Sequence, residues 1–268
     1  MTDAHPPIKL FQFPRLFAIA NLSPFCCKLE TWLRMARIPY QVIDTSDPRR
    51  APKGKLPFIE GAGRRITDTS LIVDDLAKTR GVDLDSRLDP SQRAIGVLVQ
   101  RALEQHFAFV VLYTHFIRAE GWTYARATFG SVPTIARPLL ASMVRRRMRK
   151  ILWTQGVLRH ADADIIEAGL RDWRAVLTVM GEGPFFFGGE PSGIDAIVFA
   201  ALATTLLTPI ARRSATSLGR NLSVLPTPSA GAGVSLPSLP VHPSGWPPFK
   251  RSPGRAERGL SLERRDRH

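Results

Sequence analysis

Ser23-Pro24-Phe25-Cys26-Cys27-Lys28-Leu29-Glu30-Thr31-Trp32-Leu33-Arg34-Met35 is the stretch that decides the fold. A hydroxyl residue followed by proline is a helix start. The serine oxygen accepts from a backbone N–H that has no helical partner, and proline suits the first helical position, where its missing N–H is not needed. Leu29, Trp32, Leu33 and Ala36 then recur at helical spacing, and Ile38-Pro39 ends the run. Just upstream, Ile8 to Phe13 reads Ile-Lys-Leu-Phe-Gln-Phe, with Ile8, Leu10 and Gln12 on one face and Lys9, Phe11 and Phe13 on the other. That pattern, apolar on both faces at its end, predicts a buried strand. Ser23 and Cys26 therefore open a helix after a strand, where exposed N–H groups and the positive dipole end stabilise a thiolate or an oxyanion.

Downstream the alternation continues. Tyr40 to Ile43 reads as a second strand, Thr45 to Lys55 as a polar loop, and Pro57 to Glu60 as a short strand opened by proline. Gly61 and Gly63 turn that strand into Arg64 to Thr67, a hairpin. Thr69 is expected to cap a helix through Leu71, Ile72, Asp75 and Leu76 that ends near Gly81. Strand, helix, strand, loop, strand, strand, helix is an α/β unit with a mixed sheet. From Asp89-Pro90 the pattern turns helical. Ile95, Leu98, Ala102, His106, Phe109, Tyr113 and Ile117 form one stripe, a second helix covers about Thr134 to Leu152, and Ile166, Leu170, Trp173, Leu177 and Met180 form a third. Ser192 to Ile210 is the last helix expected, opened by a Ser192/Asp195 capping box. Residues 211–268 are rich in Pro, Ser, Gly and Arg and have no apolar period, so they read as a disordered tail.

Three junctions carry candidate chemistry. In Ser23-Pro24-Phe25-Cys26 the serine stands where a redox Cys-x-x-Cys motif has its first thiol, so two-thiol exchange is excluded. Ser23 either donates to a bound thiolate or is only a cap. Cys26 fits a buried small apolar side chain better than a reactive thiol. Leu56-Pro57 before a strand is either a cis peptide whose neighbouring backbone pairs with an extended peptide, or a proline opening an edge strand. Asp68-Thr69 at a strand-to-helix junction offers N–H groups and a hydroxyl to a carboxylate and an acid to an ammonium. Ordinary capping accounts for Thr69 but not for the acid beside it.

Composition bounds the rest. The chain has 268 residues, enough for about two domains, and 44% are apolar. No stretch reads as a secretory signal, and the longest apolar run, Ile194 to Ile210, is shorter than the ~20 residues that span a bilayer, so no transmembrane segment is expected. The two cysteines are adjacent and cannot staple a fold, which fits a reducing, cytoplasmic setting. The six histidines are scattered without metal-ligand spacing. The net charge of +14 invites a nucleic-acid reading, but ten basic and three acidic residues fall after Ile210. The one compact cluster, Arg145, Arg146, Arg147, Arg149 and Lys150, lacks aromatic interleaving and reads as a solvated helix face, so nucleic acid is not expected as a partner.

Together these residues resemble the glutathione transferase superfamily. The resemblance rests on a strand followed by a helix opening Ser23-Pro24-Phe25-Cys26, then Leu56-Pro57, Asp68-Thr69-Ser70-Leu71-Ile72 and Gly189 to Asp195, in that order. Ser23 to Met35, Gly54 to Glu60 and Gly156 to His160 look like the branch that includes metaxins and failed-axon-connections proteins. The resemblance covers residues 8–210. It implies a thioredoxin-like glutathione-binding domain (residues 1–81), a linker (82–90) and a helical-bundle domain (91–210) ahead of the tail. It implies glutathione as co-substrate, held by Leu56, Pro57, Asp68 and Thr69. Ser23, or less favourably Cys26, would face its sulfur during attack on a small electrophile. That electrophile would lie between the domains, near His106, Phe109 and Tyr113. A homodimer is usual for the superfamily. The branch also includes members not established as transferases, so a non-catalytic scaffold contacting proteins or a membrane surface is the alternative. The superfamily's helical domain continues past Ile210, so the resemblance leaves two readings of the change of character there, a native tail or a shifted reading frame or altered gene end.

Overall fold

The computed structural model describes residues 7–16, 20–130 and 132–206. The expected tail at 211–268 and the last expected helical turn at 207–210 lie outside the described residues.

The first half is built as the alternation predicts: β1 (Ile8–Gln12), α1 (Pro24–Met35), β2 (Tyr40–Asp44), β3 (Phe58–Gly61), β4 (Arg64–Thr67) and α2 (Thr69–Arg80). The sheet runs β2-β1-β3-β4, with β1 parallel to β2 and antiparallel to β3, and β3 antiparallel to β4. Ala62 and Gly63 both have positive φ, 50° and 73°, the turn geometry whose twist matches a two-residue hairpin. Ile8, Leu10 and Ile59 from the strands pack with Leu29, Trp32 and Leu33 of α1 and with Ile72 and Leu76 of α2.

The second half is helical: α3 (Pro90–Ala102), a π turn (Leu103–Phe107), α4 (Ala108–Phe116), α5 (Ala119–Ala125), α6 (Arg137–Gln155), α7 (Asp162–Met180) and α8 (Gly193–Leu206). The start at Asp89-Pro90 is a complete capping box with Gln92. The third stripe is largely as expected: Ile166, Leu170 and Trp173 are buried, and Leu177 and Met180 are partly buried against the same core. The first stripe is kept in part: Tyr113 is buried, and Ile95, Phe109 and Ile117 are partly buried against the core, but Leu98 is 70% exposed and Val99, Leu103, Phe107, Val110 and Val111 are buried as well. Apolar residues surround this helix, so two stripes satisfy the helical period, and contact with α7 selects between them. The Phe107 and Trp173 rings lie 5.7 Å apart. A Cβ added at Gly169 would come within 2.8 Å of Val110 Cγ1, so the backbone of α7 passes close to α4. Taken together, Pro90–Phe116 is long and apolar enough to cross a membrane by length and composition, but here it supplies the helical core.

The two halves meet along α1 and α8. Cys27 of α1 belongs to the helical core, and Ala196 of α8 belongs to the core under the sheet. A helix buried on all sides must be apolar on all sides, which is why Gly193–Leu206 carries no amphipathic pattern. Its start keeps one arm of the expected capping box, the Asp195 carboxylate accepting from the Ser192 N–H at 2.7 Å. Asp195 also accepts from the Ser192 hydroxyl (2.8 Å) and the Phe186 N–H (2.7 Å), so in the other arm the serine hydroxyl donates instead of capping. Asp85 accepts from the Gly193 N–H at 2.7 Å and ties this start to the segment after α2.

Asp195→Ala leaves three donors without that acceptor. Each buried donor left unpaired costs about 1–3 kcal/mol, so the expected loss in unfolding free energy is about 2 kcal/mol or more by chemical denaturation. A change below about 0.5 kcal/mol, within the range of ordinary surface substitutions, would show that Asp195 does not organise this junction.

Candidate functional site

Strand register brings the three candidate junctions to one end of the sheet. Phe11 pairs with Phe58, and Phe58 pairs with Thr67. The chain leaving β1 toward Ser23, the chain entering β3 from Leu56-Pro57 and the chain leaving β4 into Asp68-Thr69 therefore start from one row across three adjacent strands. Neighbouring strands lie ~4.8 Å apart, so the row is about 10 Å wide.

Ser23 caps α1, its hydroxyl accepting from the Cys26 N–H at 3.4 Å. Its own N–H donates to Asn21 Oδ1 at 3.1 Å, and Asn21 Nδ2 donates to the Phe13 carbonyl at 2.7 Å. Asn21 is fully buried and holds the loop that presents Ser23. Cys26 packs with Ala51, Leu56 and Phe58. Burial pushes its thiol up to about 12, against hydrogen bonds from Ser23 and the Phe13 backbone that act the other way. Burial pushes Cys27 up to about 12 as well, with the Glu30 carboxylate adding to the rise. Cys26 is fully buried in an apolar cluster, and burial there disfavours its thiolate.

Leu56-Pro57 is a cis peptide, and both residues are buried. At the third junction the expected cap moves by one residue. Asp68, not Thr69, is the cap of α2: its carboxylate accepts from the N–H groups of Ser70 (3.0 Å) and Leu71 (3.5 Å). Capping therefore explains the acid, and Thr69 is the residue left over. Asp68 is exposed and has φ 76° and ψ 124°. A non-glycine residue in that region costs of order 1–3 kcal/mol, and such strain is concentrated at functional sites.

Thr69 is buried, and its hydroxyl accepts from Lys28 Nζ at 3.3 Å. Lys28 also pairs with Glu104 at 2.6 Å, with both side chains buried. Gln100 Nε2 donates to Ser70 Oγ (2.8 Å) and Glu104 Oε2 (3.2 Å). This network joins α1, the start of α2 and the α3–π segment directly behind the candidate cradle. Lys28 stands in the stretch that decides the fold. A charged residue between Cys27 and Leu29 on a helix that must bury a face was the available signal for it. Gln100 and Glu104 carried none. His106 and Tyr113 turn toward α7 instead of α1: His106 Nδ1 lies 2.5 Å from Asp172 Oδ2, and the Tyr113 hydroxyl donates to Asp162 at 2.7 Å.

A family model for the glutathione S-transferase N-terminal domain matches residues 24–121, and one for the C-terminal domain matches residues 169–224. The chain belongs to the glutathione transferase superfamily. Within it, the chain falls with Failed axon connections and the metaxins. It is 30% identical to Failed axon connections of Drosophila melanogaster over 73% of this chain and 49% of that protein, so it spans about half the length of that relative. It is 25% identical to human Metaxin-2 over 74% of this chain and 76% of that protein. It is also 25% identical to an isoprene-epoxide–glutathione S-transferase from a Rhodococcus species over 73% of this chain and 85% of that protein. A solved glutathione transferase from Phanerochaete chrysosporium shares the fold with a TM-score of 0.52 at 13% identity, covering 75% of this chain and 86% of that one.

Two outcomes test this geometry. Glu104→Ala leaves Lys28 buried without its counter-charge and should lower stability by about 3–5 kcal/mol, while a Lys28→Met/Glu104→Leu pair should recover most of it. A thiol reagent such as an aromatic disulfide should leave both cysteines of the folded chain unmodified at pH 8 and modify both in denaturant. Rapid modification of the folded chain would place a thiol in the cradle.

Proposed function

We propose that the row formed by Ser23, Leu56-Pro57 and Asp68-Thr69 holds glutathione, and that the chain transfers its thiolate to a small electrophile. The observation that carries this reading is Asp68, a strained, exposed acid at the end of the strand row beside a cis-proline junction. In this reading residues 1–81 form the glutathione-binding domain and residues 91–210 the helical one. The Leu56 main chain pairs with the extended peptide. The Asp68 carboxylate, while capping the Ser70 and Leu71 N–H groups, takes the ligand ammonium, and the Thr69 N–H ahead of those two donors takes the ligand carboxylate. Ser23 donates to the sulfur, and together with the positive end of α1 it favours the thiolate.

The thiolate then forms a carbon–sulfur bond while the electrophile's carbon–oxygen or carbon–halide bond breaks. The leaving oxygen takes up a proton from water, or halide departs. Similarity to a protein named as an epoxide–glutathione transferase makes an epoxide the natural first electrophile.

A second reading has a specific observation in its favour. The Thr69 hydroxyl already accepts from buried Lys28, and burial disfavours the thiolate of both cysteines. A member built this way would keep the fold as a platform for partner proteins, consistent with its similarity to metaxins.

Calorimetric titration of glutathione into the full chain separates the two. Saturable binding lost in Asp68→Asn, which keeps a cap but removes the charge, is the expected result. Ser23→Ala should retain binding and lower epoxide conjugation by about 100-fold, the typical effect of removing one donor to a developing or held anion. A folded chain with no binding heat would end the transferase reading and leave the platform.

A further inference from the structure

Arg137–Gln155, the helix α6, carries six basic side chains and no acidic one. Only Ala141 and Leu152 along it are buried. Ile135, just ahead of the helix, and then Leu139, Met143, Arg146, Lys150 and Trp153 follow at steps of four, four, three, four and three, which aligns them along one face. The apolar members of that face are open to solvent: Ile135 is 93% exposed, Leu139 68%, Met143 61% and Trp153 56%. The plain solvated face read from the charge cluster explains the arginines but not these four side chains.

Beside this face lies a groove of about 450 Å³ between α5 and α6. Its lining includes Trp122, Arg126, Ser142, Arg145, Arg146 and Arg149, and no acidic side chain lines it. Arg145 is committed to the fold. It donates to the Phe116 and Ile117 carbonyls at 3.2 and 2.8 Å and lies over the Trp122 ring at 5.1 Å. It thereby fixes the groove and leaves Arg126, Arg146 and Arg149 around it.

We propose that α6 docks this protein on an anionic phospholipid surface. Headgroup phosphates enter the groove to meet Arg126, Arg146, Arg149 and the Ser142 hydroxyl, while Leu139, Met143 and Trp153 enter the boundary with the acyl chains. The chemistry selects this occupant. An interfacial helix needs an apolar face flanked by bases, with an aromatic ring at the headgroup level. A nucleic-acid backbone uses the bases but gives exposed Ile135, Leu139 and Met143 nothing to contact. A second copy would bring six like charges against six. The segment after Ile210 is itself basic and cannot complement the face. This surface is independent of the proposed glutathione cradle, whose residues it does not share.

Flotation of the full chain with vesicles tests the assignment. Vesicles of phosphatidylcholine with about a third phosphatidylserine should retain the protein, pure phosphatidylcholine vesicles should not, and raising the salt should weaken binding. Each basic residue near an anionic surface contributes about 1 kcal/mol, so Arg146→Gln/Lys150→Gln should reduce partitioning by about 30-fold. Leu139→Ser/Met143→Ser should also reduce it, with circular dichroism unchanged because both side chains are exposed. A fluorophore on Met143→Cys should brighten on phosphatidylserine vesicles, a signal that binding through the basic tail alone would not produce. Undiminished binding of both double variants would overturn the proposal. So would preference for an oligonucleotide over the vesicles, or a concentration-dependent dimer abolished by Leu139→Ser.

Discussion

The antiparallel pairing that sets Phe11 against Phe58 and Phe58 against Thr67 is the constraint on which the site depends. Side chains alternate along a strand, so a slip of one residue would turn every core residue of the slipped strand to the other face. The same slip would pull the Leu56-Pro57 and Asp68-Thr69 junctions out of line with the start of α1. The register is held by the burial of Ile8, Leu10 and Ile59 under α1 and α2 and by the tight Ala62-Gly63 turn. Phe11 and Phe58, stacked with ring centroids 4.3 Å apart, reinforce the pairing at the end of the sheet where the candidate chemistry lies.

Behind that row the structure places charge where a core would ordinarily be apolar. Lys28 and Glu104 join the sheet half to the helical half, and Glu30 is fully buried while accepting from Gln12, Arg15, Arg34 and Tyr40. Taking such groups out of water is unfavourable unless every partner is in place. The Glu30 contacts all lie within the sheet half, and the Lys28–Glu104 pair is the one of the two that crosses to the helical half. The Lys28 contact with Thr69 gives the cradle a direct link to the interface with α3. A change in how the halves pack would therefore be felt at the start of α2.

Element type was legible nearly throughout, because strand alternation, the Ser23-Pro24 and Asp89-Pro90 starts and the glycine-marked turns are local signals. The errors share one physical cause. The helix cap at α2 moved from Thr69 to Asp68, and the buried stripe of α3 and α4 moved from Leu98 to Val99 and Leu103. In both places two local solutions have nearly equal merit, and the choice comes from packing. Asn21 and Gln100 were unreadable, since a single amide side chain has no period and no motif. The basic run in α6 was visible, but its exposed apolar companions were not, because a Leu or Met at helical spacing normally marks a core face.

By itself the sequence determined the order of elements and the three junctions, since each rests on contacts between residues close in the chain, and its ordered motifs carried the resemblance to the superfamily. Only the tertiary structure decided that those junctions share one end of the sheet, which residues bury Cys26, whose burial the sequence already favoured, and that Lys28 reaches Thr69 and Glu104. Desolvation and strand register are properties of what surrounds a residue, and here the surrounding residues come from elements as many as 76 positions away, the separation between Lys28 and Glu104.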